Sequence, residues 1–262
     1  MKSIRTLLFC AAALAALSSC SILQNLNSDY LMEGGAKVLQ AATLSDADIQ
    51  AYVAQYVAQS DAQNKVLPAS NAYVKRLTAL TGKLTEVDGV PLNFKVYQTN
   101  DVNAFACADG SVRVYTGLMD LMDDEELLGV IGHEIGHVAL KHTKKDMQNA
   151  LLRSAALSGL AATGETMAVL SQSELAALGE TIMSAKFSRK QETEADNFSY
   201  AFLKAAGYNP ICIRNSLVKL QSLEANASNA AGPVSQLFSS HPTTDKRIAN
   251  IDKQLKADGY IE

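Results

Sequence analysis

The stretch VIGHEIGHVALKH, residues 130–142, sets His133 and His137 four positions apart on an almost wholly apolar background. Residues four apart share one face of an α-helix, so both imidazoles can be offered to a single point. Apolar residues around the rest of the circumference require that helix to be central and buried. The acidic run DDEE at 123–126 gives it a first turn that suits the helix dipole. Glu134 lies on the adjacent strip, placed to reach a water on a metal rather than the metal itself, which is the HExxH arrangement. Zinc takes neutral imidazole at about 2.0–2.1 Å and prefers tetrahedral N, O and S ligands. The competing account is a buried helix whose histidines are hydrogen-bonded for structure, and a third ligand separates the two.

A further histidine six positions beyond His137, with a glycine between, does not occur: those positions hold Thr143 and Leu140. His142 falls well off the metal-facing strip of a continuous helix and reads as a charge near the helix C-terminus. Glu192 and Asp196, in RKQETEADNF, are again four apart on a helical pattern. Glu192 can bind a metal while Asp196 takes the N–H of a ligating imidazole and fixes its tautomer. Glu194 points elsewhere and reads as solvated or salt-bridged.

The first residues stand outside the domain. MKSIRTLLFCAAALAALSSC carries Lys2 and Arg5, then an apolar run from Leu7 to Leu17, then small residues. That is the pattern of a secretory signal over residues 1–19, and the run is short of the roughly 20 residues that span a bilayer. LSSC resembles a bacterial lipobox, with Cys20 as the lipidated residue and 20–44 as anchor and tether; the alternative is an ordinary signal with an incidental cysteine. Two or more acyl chains anchor stably. Ser21, by likeness to other bacterial lipoproteins, favours the outer membrane, facing the periplasm. Loss of the signal leaves 21 basic against 27 acidic residues, a formal charge of −6. That balance argues against a nucleic-acid partner. Cys107 and Cys212 remain, either paired or as buried free thiols.

Residues 45–262 read as one α+β, mainly helical domain. Ser45 can cap a helix with Ile49, Tyr52, Val53, Tyr56 and Val57 on one face, and NAYVKRLTALTGKL continues the pattern after Pro68. LNFKVYQ and NAFACADGSVRVYTGLM alternate with period two around the hairpin signal ADGS, which predicts a small antiparallel sheet. Residues 143–186 are Ala- and Leu-rich and read as two helices, either structural or forming a lid. KFSRKQETEADNFSYAFLKAAG is a helix stopping at Gly207, followed by ICIRNSLVKLQSLE, a polar loop around 225–236, and HPTTDKRIANIDKQL.

GHEIGHVALKH, SRKQETEADNFSYAFL and SSHPTTDKRIANI, preceded by NAFACADGSVRVYTGLM, resemble in order the four blocks of the HtpX-like and CAAX-prenyl-protease family of zinc metallopeptidases. With the lipobox, the chain is most similar to the soluble periplasmic lipoprotein branch. It lacks the transmembrane helices of the embedded members, and with them the reason to expect prenylated substrates. The resemblance implies a zincin-like (gluzincin) fold and a metalloendopeptidase with one Zn2+ per chain. His133, His137 and Glu192 would be ligands, Glu134 the catalytic base, and Asp196 the partner behind a ligand. It further implies that His241 steadies an oxyanion and that Arg247 orients the ligand carboxylate or the substrate; the alternative for both is plain helix-start chemistry. Implied substrates are unfolded or misassembled envelope proteins, with outer-membrane assembly factors as possible partners. NAFACA would be the edge strand that receives an extended peptide, or else an ordinary internal strand. The competing functions are an assembly chaperone or holdase with a structural metal, and a hydrolase of small esters or amides.

Overall fold

Ser45 opens the first described helix with a capping box: its hydroxyl accepts from the Asp48 amide at 3.1 Å, and Asp48 accepts from the Ser45 amide at 2.9 Å. The computed structural model describes residues 45–160, 186–227, 240–242 and 244–262. The expected signal (1–19), the tether (20–44), the later part of the Ala-rich insert (161–185) and most of the polar loop (228–239) lie outside the described residues. Two compact units are distinguished, 45–147 with 172–262, and 1–44 with 148–171. Of the latter only 148–160 is described, as the continuation of a helix.

In the first unit, helix α1 (Asp46–Gln63) buries Ile49, Val53 and Val57 on one face, as the periodicity predicts. Helix α2 (Ala72–Thr81) is capped by Asn71. Its Arg76 donates to the carbonyls of Met119 and Met122 and to Asp124, which ties α2 to the entry of the central helix. A two-stranded hairpin follows, β1 (Glu86–Val87) with β2 (Val90–Pro91), turned by Asp88 and Gly89, both at positive φ. That conformation is what a type I′ hairpin turn needs.

The larger sheet has three strands, β3 (Asn93–Tyr97), β4 (Ala104–Ala106) and β5 (Ser111–Tyr115), in the order β3-β5-β4. β4 and β5 form the expected antiparallel hairpin through ADGS, but β3 pairs parallel to β5, so the sheet is mixed rather than antiparallel. Residues 98–103 carry the chain past the centre of the sheet to its far edge, and the hairpin then returns β5 into the middle. Thr116 Oγ1 braces that crossing by donating to the Thr99 carbonyl at 2.7 Å. Among the described residues β4 is an edge strand of this sheet, not an internal one.

Short helix α3 (Thr116–Leu121) leads into α4 (Asp124–Ala139), capped by an Asp123–Glu126 box and buried continuously from Leu127 to Val138. Helices α5 (His142–Leu160), α6 (Arg189–Ala205), α7 (Ile211–Ala227) and α8 (Asp245–Ala257) complete the described residues. α6 ends as expected before Gly207, whose φ of 77° allows the amides of Gly207 and Tyr208 to bond back to Lys204 and Leu203. α6 and α7 pack directly on α4, with α8 against both. A side chain at Gly129 would strike the Cys212 carbonyl of α7, and one at Gly136 the Ala195 carbonyl of α6, so glycine sets these close approaches. Among the described residues no helix is long and apolar enough to cross a membrane. Cys107 and Cys212 are both buried, free thiols.

Candidate metal centre

One turn apart on α4, His133 and His137 bring their Nε2 atoms to 3.0 Å from each other. Glu192, on the first turn of α6, reaches in from the facing helix: its carboxylate lies 3.5 Å from His133 Nε2 and 3.4 Å from His137 Nε2. His241, just before α8, closes the group, with Nδ1 3.1 Å from Glu192 Oε1 and 3.3 Å from His133 Nε2. One donor atom from each of the four residues lies within 4.8 Å of the others, and all four residues are buried. Bonds of about 2.1 Å to a tetrahedral ion place its donors about 3.4 Å apart, so the printed separations fit a zinc-sized ion.

Charge points the same way. Burial alone would keep His133 neutral, yet the Glu192 charge and the Asp196 hydrogen bond raise it to about 9. His137 is pushed well below its usual value, by burial first, despite its hydrogen bond to Glu192. Glu192 opposes the cost of its own burial through the neighbouring imidazoles and is held far below the carboxylate range.

Glu134 is 3 % exposed, and its Oε1 is a buried oxygen with no hydrogen-bond partner among the described residues. His241 Nε2 lies 3.5 Å from that oxygen. An orphaned carboxylate oxygen costs stability where it stands, which makes it a place reserved for a water or a substrate group.

Behind the donors, Asp196 Oδ1 takes His133 Nδ1 at 2.8 Å, as the four-residue spacing predicts. Arg247 grips Asp196 at both oxygens, each at 2.7 Å, and also donates to Glu192 and to the Pro242 carbonyl. It therefore orients the carboxylates of α6. Burial opposes Asp196's charge, but Arg247 and His133 hold its pKa to about 2.

Two neighbours were not legible as part of the site. His142 is not the expected charge near the helix C-terminus: it is completely buried, its Nδ1 lies 2.9 Å from His137 Nδ1, and burial drives it toward the neutral form. α4 ends at Ala139, and Lys141, in the left-handed region at φ 55°, turns the chain so that His142 comes back against His137. Phe187 stacks on His137 with ring centroids 3.9 Å apart. Glu194 behaves as the spacing implied, partly exposed and 3.7 Å from Lys190. A cavity of about 190 Å3 opens beside His137, between Ile49 and Val87 on one side and Val138 on the other.

A model of peptidase family M48 matches residues 68–255, a span that contains every residue of this cluster. The chain is 42 % identical over 257 residues to the metalloprotease LoiP of Escherichia coli, covering 98 % of each chain. It is 39 % identical over 256 residues to the metalloprotease YcaL of the same organism, covering 97 % of this chain and 98 % of that one. The beta-barrel assembly-enhancing protease of Yersinia pestis is 29 % identical over 168 residues, 61 % of this chain and 34 % of that one. A crystal structure of S. mikatae Ste24p superposes with a TM-score of 0.44 at 18 % identity, covering 79 % of this chain and 55 % of the other. Likeness over nearly the whole length to two metalloproteases, together with the matched span, shows that the chain belongs to peptidase family M48 and is a metalloendopeptidase.

Proposed function

We propose that the protein is a zinc endopeptidase that cleaves unfolded or misassembled envelope proteins, held through a lipid on Cys20 at the bacterial outer membrane and facing the periplasm. The observation that carries the catalytic part is the unpartnered Glu134 oxygen beside a buried group of donors spaced for one ion. His133, His137 and Glu192 are the proposed ligands. Zinc held there supplies Lewis-acid chemistry, making water acidic near neutral pH and polarising a carbonyl.

Glu134 takes a proton from the attacking water and delivers it to the amide nitrogen as the C–N bond breaks, leaving a carboxylic acid and an amine. His241, on the other side of that carboxylate, steadies the negative charge that develops on the carbonyl oxygen. Asp196 fixes the His133 tautomer, and Arg247 holds Asp196 and Glu192 in register. No side-chain nucleophile is required.

An extended chain can add to the free edge of β4 by main-chain hydrogen bonds, which demands little of its sequence and suits unfolded substrates. The cavity beside His137 is lined by both apolar residues (Ile49, Val87, Val138) and charged ones (Asp46, Lys141, Lys144), room for a substrate side chain without a strict demand on its polarity. The signal and lipobox pattern supports the location. The name of the assembly-enhancing relative supports a link to outer-membrane protein assembly.

The deciding experiment is Glu134→Gln, assayed for zinc content and for cleavage of an unfolded protein such as reduced casein. Zinc retained with cleavage lost by at least 10²-fold is expected for a general base. Unchanged cleavage would sink the mechanism. Lost cleavage with envelope function intact in cells would favour the holdase.

A further inference from the structure

The two helix histidines are held from behind by different means. His133 Nδ1 meets the Asp196 carboxylate directly, at 2.8 Å. His137 turns its Nε2 toward the cluster, so its Nδ1 faces away, and there it meets a second imidazole, that of His142, at 2.9 Å. Two ring nitrogens at that distance share one proton: one donates, and the other must offer a lone pair. His142 is completely buried, and its Nε2 has no hydrogen-bond partner among the described residues. Glu194 Oε2 lies 3.4 Å from that nitrogen, just beyond a full hydrogen bond, and the other oxygen of Glu194 faces Lys190 at 3.7 Å.

Resting on the metal reading above, we infer that His142 is a positioning residue for the metal centre: it accepts the Nδ1–H of His137 and ties that ring through its own Nε2–H to the part-exposed carboxylate of Glu194. A neutral imidazole that ligates through Nε2 carries its proton on Nδ1. His142 Nδ1 is then the lone-pair nitrogen, and the His142 proton sits on Nε2, aimed at Glu194. Proton donation runs in one direction only, from His137 to His142 to Glu194. The Phe187 ring, stacked on His137 and 6.1 Å from His142, covers this line of groups with an apolar face. The left-handed Lys141 places His142 there, and backbone strain of that kind persists where the surroundings hold it. A neutral imidazole is a weaker acceptor than a carboxylate. The two ligand rings therefore differ in basicity, with His133, backed by Asp196, the stronger donor to the ion.

The test reads zinc affinity of the full chain by competition with a chromophoric chelator, and the visible spectrum of its cobalt(II) form. Wild type is compared with His142→Phe, His142→Asn and His137→Ala. Phenylalanine keeps a ring and removes the acceptor; asparagine returns an acceptor close to the Nδ1 position. Removing an outer partner of a ligand typically weakens metal binding 10–100-fold. His142→Phe is expected to show a loss of about that size with a changed cobalt spectrum, and His142→Asn to recover most of it. Affinity and spectrum equal to wild type in His142→Phe, where His137→Ala has lost the metal, would overturn the role of His142 and leave the metal reading intact. Affinity that survives His137→Ala overturns both. Should the ring exchange prevent folding, the zinc-loaded wild type decides: long-range 15N–1H correlations are expected to place the His142 proton on Nε2, and a proton on Nδ1 would overturn the proposal.

Discussion

Arg247 and Asp196 meet through two parallel hydrogen bonds of 2.7 Å, inside a wall that also contains Glu192 and His133. A guanidinium can bridge the carboxylates of α6 because its donors form a rigid fork, and lysine offers only a point charge. Arg247→Lys therefore keeps the charge and loses the geometry. Zinc affinity measured by chelator competition is expected to fall about 10–100-fold, with a lower melting temperature. A raised KM with zinc affinity unchanged would instead place Arg247 on the substrate.

Asp61 and Arg113 make a part-buried ion pair between α1 and the middle strand of the sheet. Arg113 is 1 % exposed in the middle strand and donates to Asp61 at 2.8 and 3.1 Å, and Asp61 also accepts from Lys95 at 2.7 Å and Tyr97 at 2.6 Å. Burial opposes the Asp61 charge, but these donors hold its pKa well below the ordinary 3.8. The folded state thus binds the Asp61 proton more weakly than the unfolded chain does. Its stabilisation is present above about pH 4 and is lost as pH falls toward the folded value. Asp61→Asn is expected to cost about 3–5 kcal/mol near neutral pH, since Arg113 stays buried without its charge partner. Urea unfolding at pH 7, 4 and 2 is expected to show the gap between wild type and variant shrinking with acid; a gap independent of pH would contradict the assignment.

His241 is the donor carried by a segment between helices rather than by a helix. Its Nε2 lies near Glu134 while its Nδ1 completes the donor group. With the oxyanion role, His241→Ala keeps three ligands and loses about 10²–10³ in kcat, as removal of one oxyanion donor does. Zinc content and KM are expected to change little. A rise in activity would show that His241 obstructs the centre instead.

The helices that carry the proposed ligands were legible because the pattern is periodic: His133 with His137, and Glu192 with Asp196, repeat at the interval that puts two side chains on one helical face. What escaped depended on breaks in that regularity. The place of His142 is not encoded locally: the sequence around Leu140 and Lys141 carries no glycine or proline to announce the end of α4, and a lysine at φ 55° is an uncommon conformation. β3 joined the sheet in parallel because pairing order depends on where residues 98–103 cross, which period-two alternation does not encode. The β1–β2 hairpin does carry a local signal, Asp88-Gly89 between valines, on strands of only two residues each. Phe187 gained its place only from the fold, as a ring beside His137 from a segment 50 positions later in the numbering.

The glycines of α4 separate stability from ligand geometry. A Cβ at Gly129 would lie 2.3 Å from the Cys212 carbonyl oxygen, and one at Gly136 would lie 2.7 Å from the Ala195 carbonyl oxygen. In both cases the obstacle is backbone, so a neighbouring helix must move, at a cost of about 1–3 kcal/mol for overpacking. The consequences differ because the neighbours differ. α7, opposite Gly129, carries none of the proposed ligands, whereas α6, opposite Gly136, carries Glu192 and Asp196 on either side of Ala195 in the numbering. Gly129→Ala is therefore expected to lower the melting temperature while zinc affinity stays within about twofold of wild type. Gly136→Ala is expected to lower both, since displacing α6 draws Glu192 away from His133 and His137. Equal zinc affinity in the two variants would show that the carboxylate adapts to the helix shift, and that the spacing of α4 and α6 does not set the geometry of the centre.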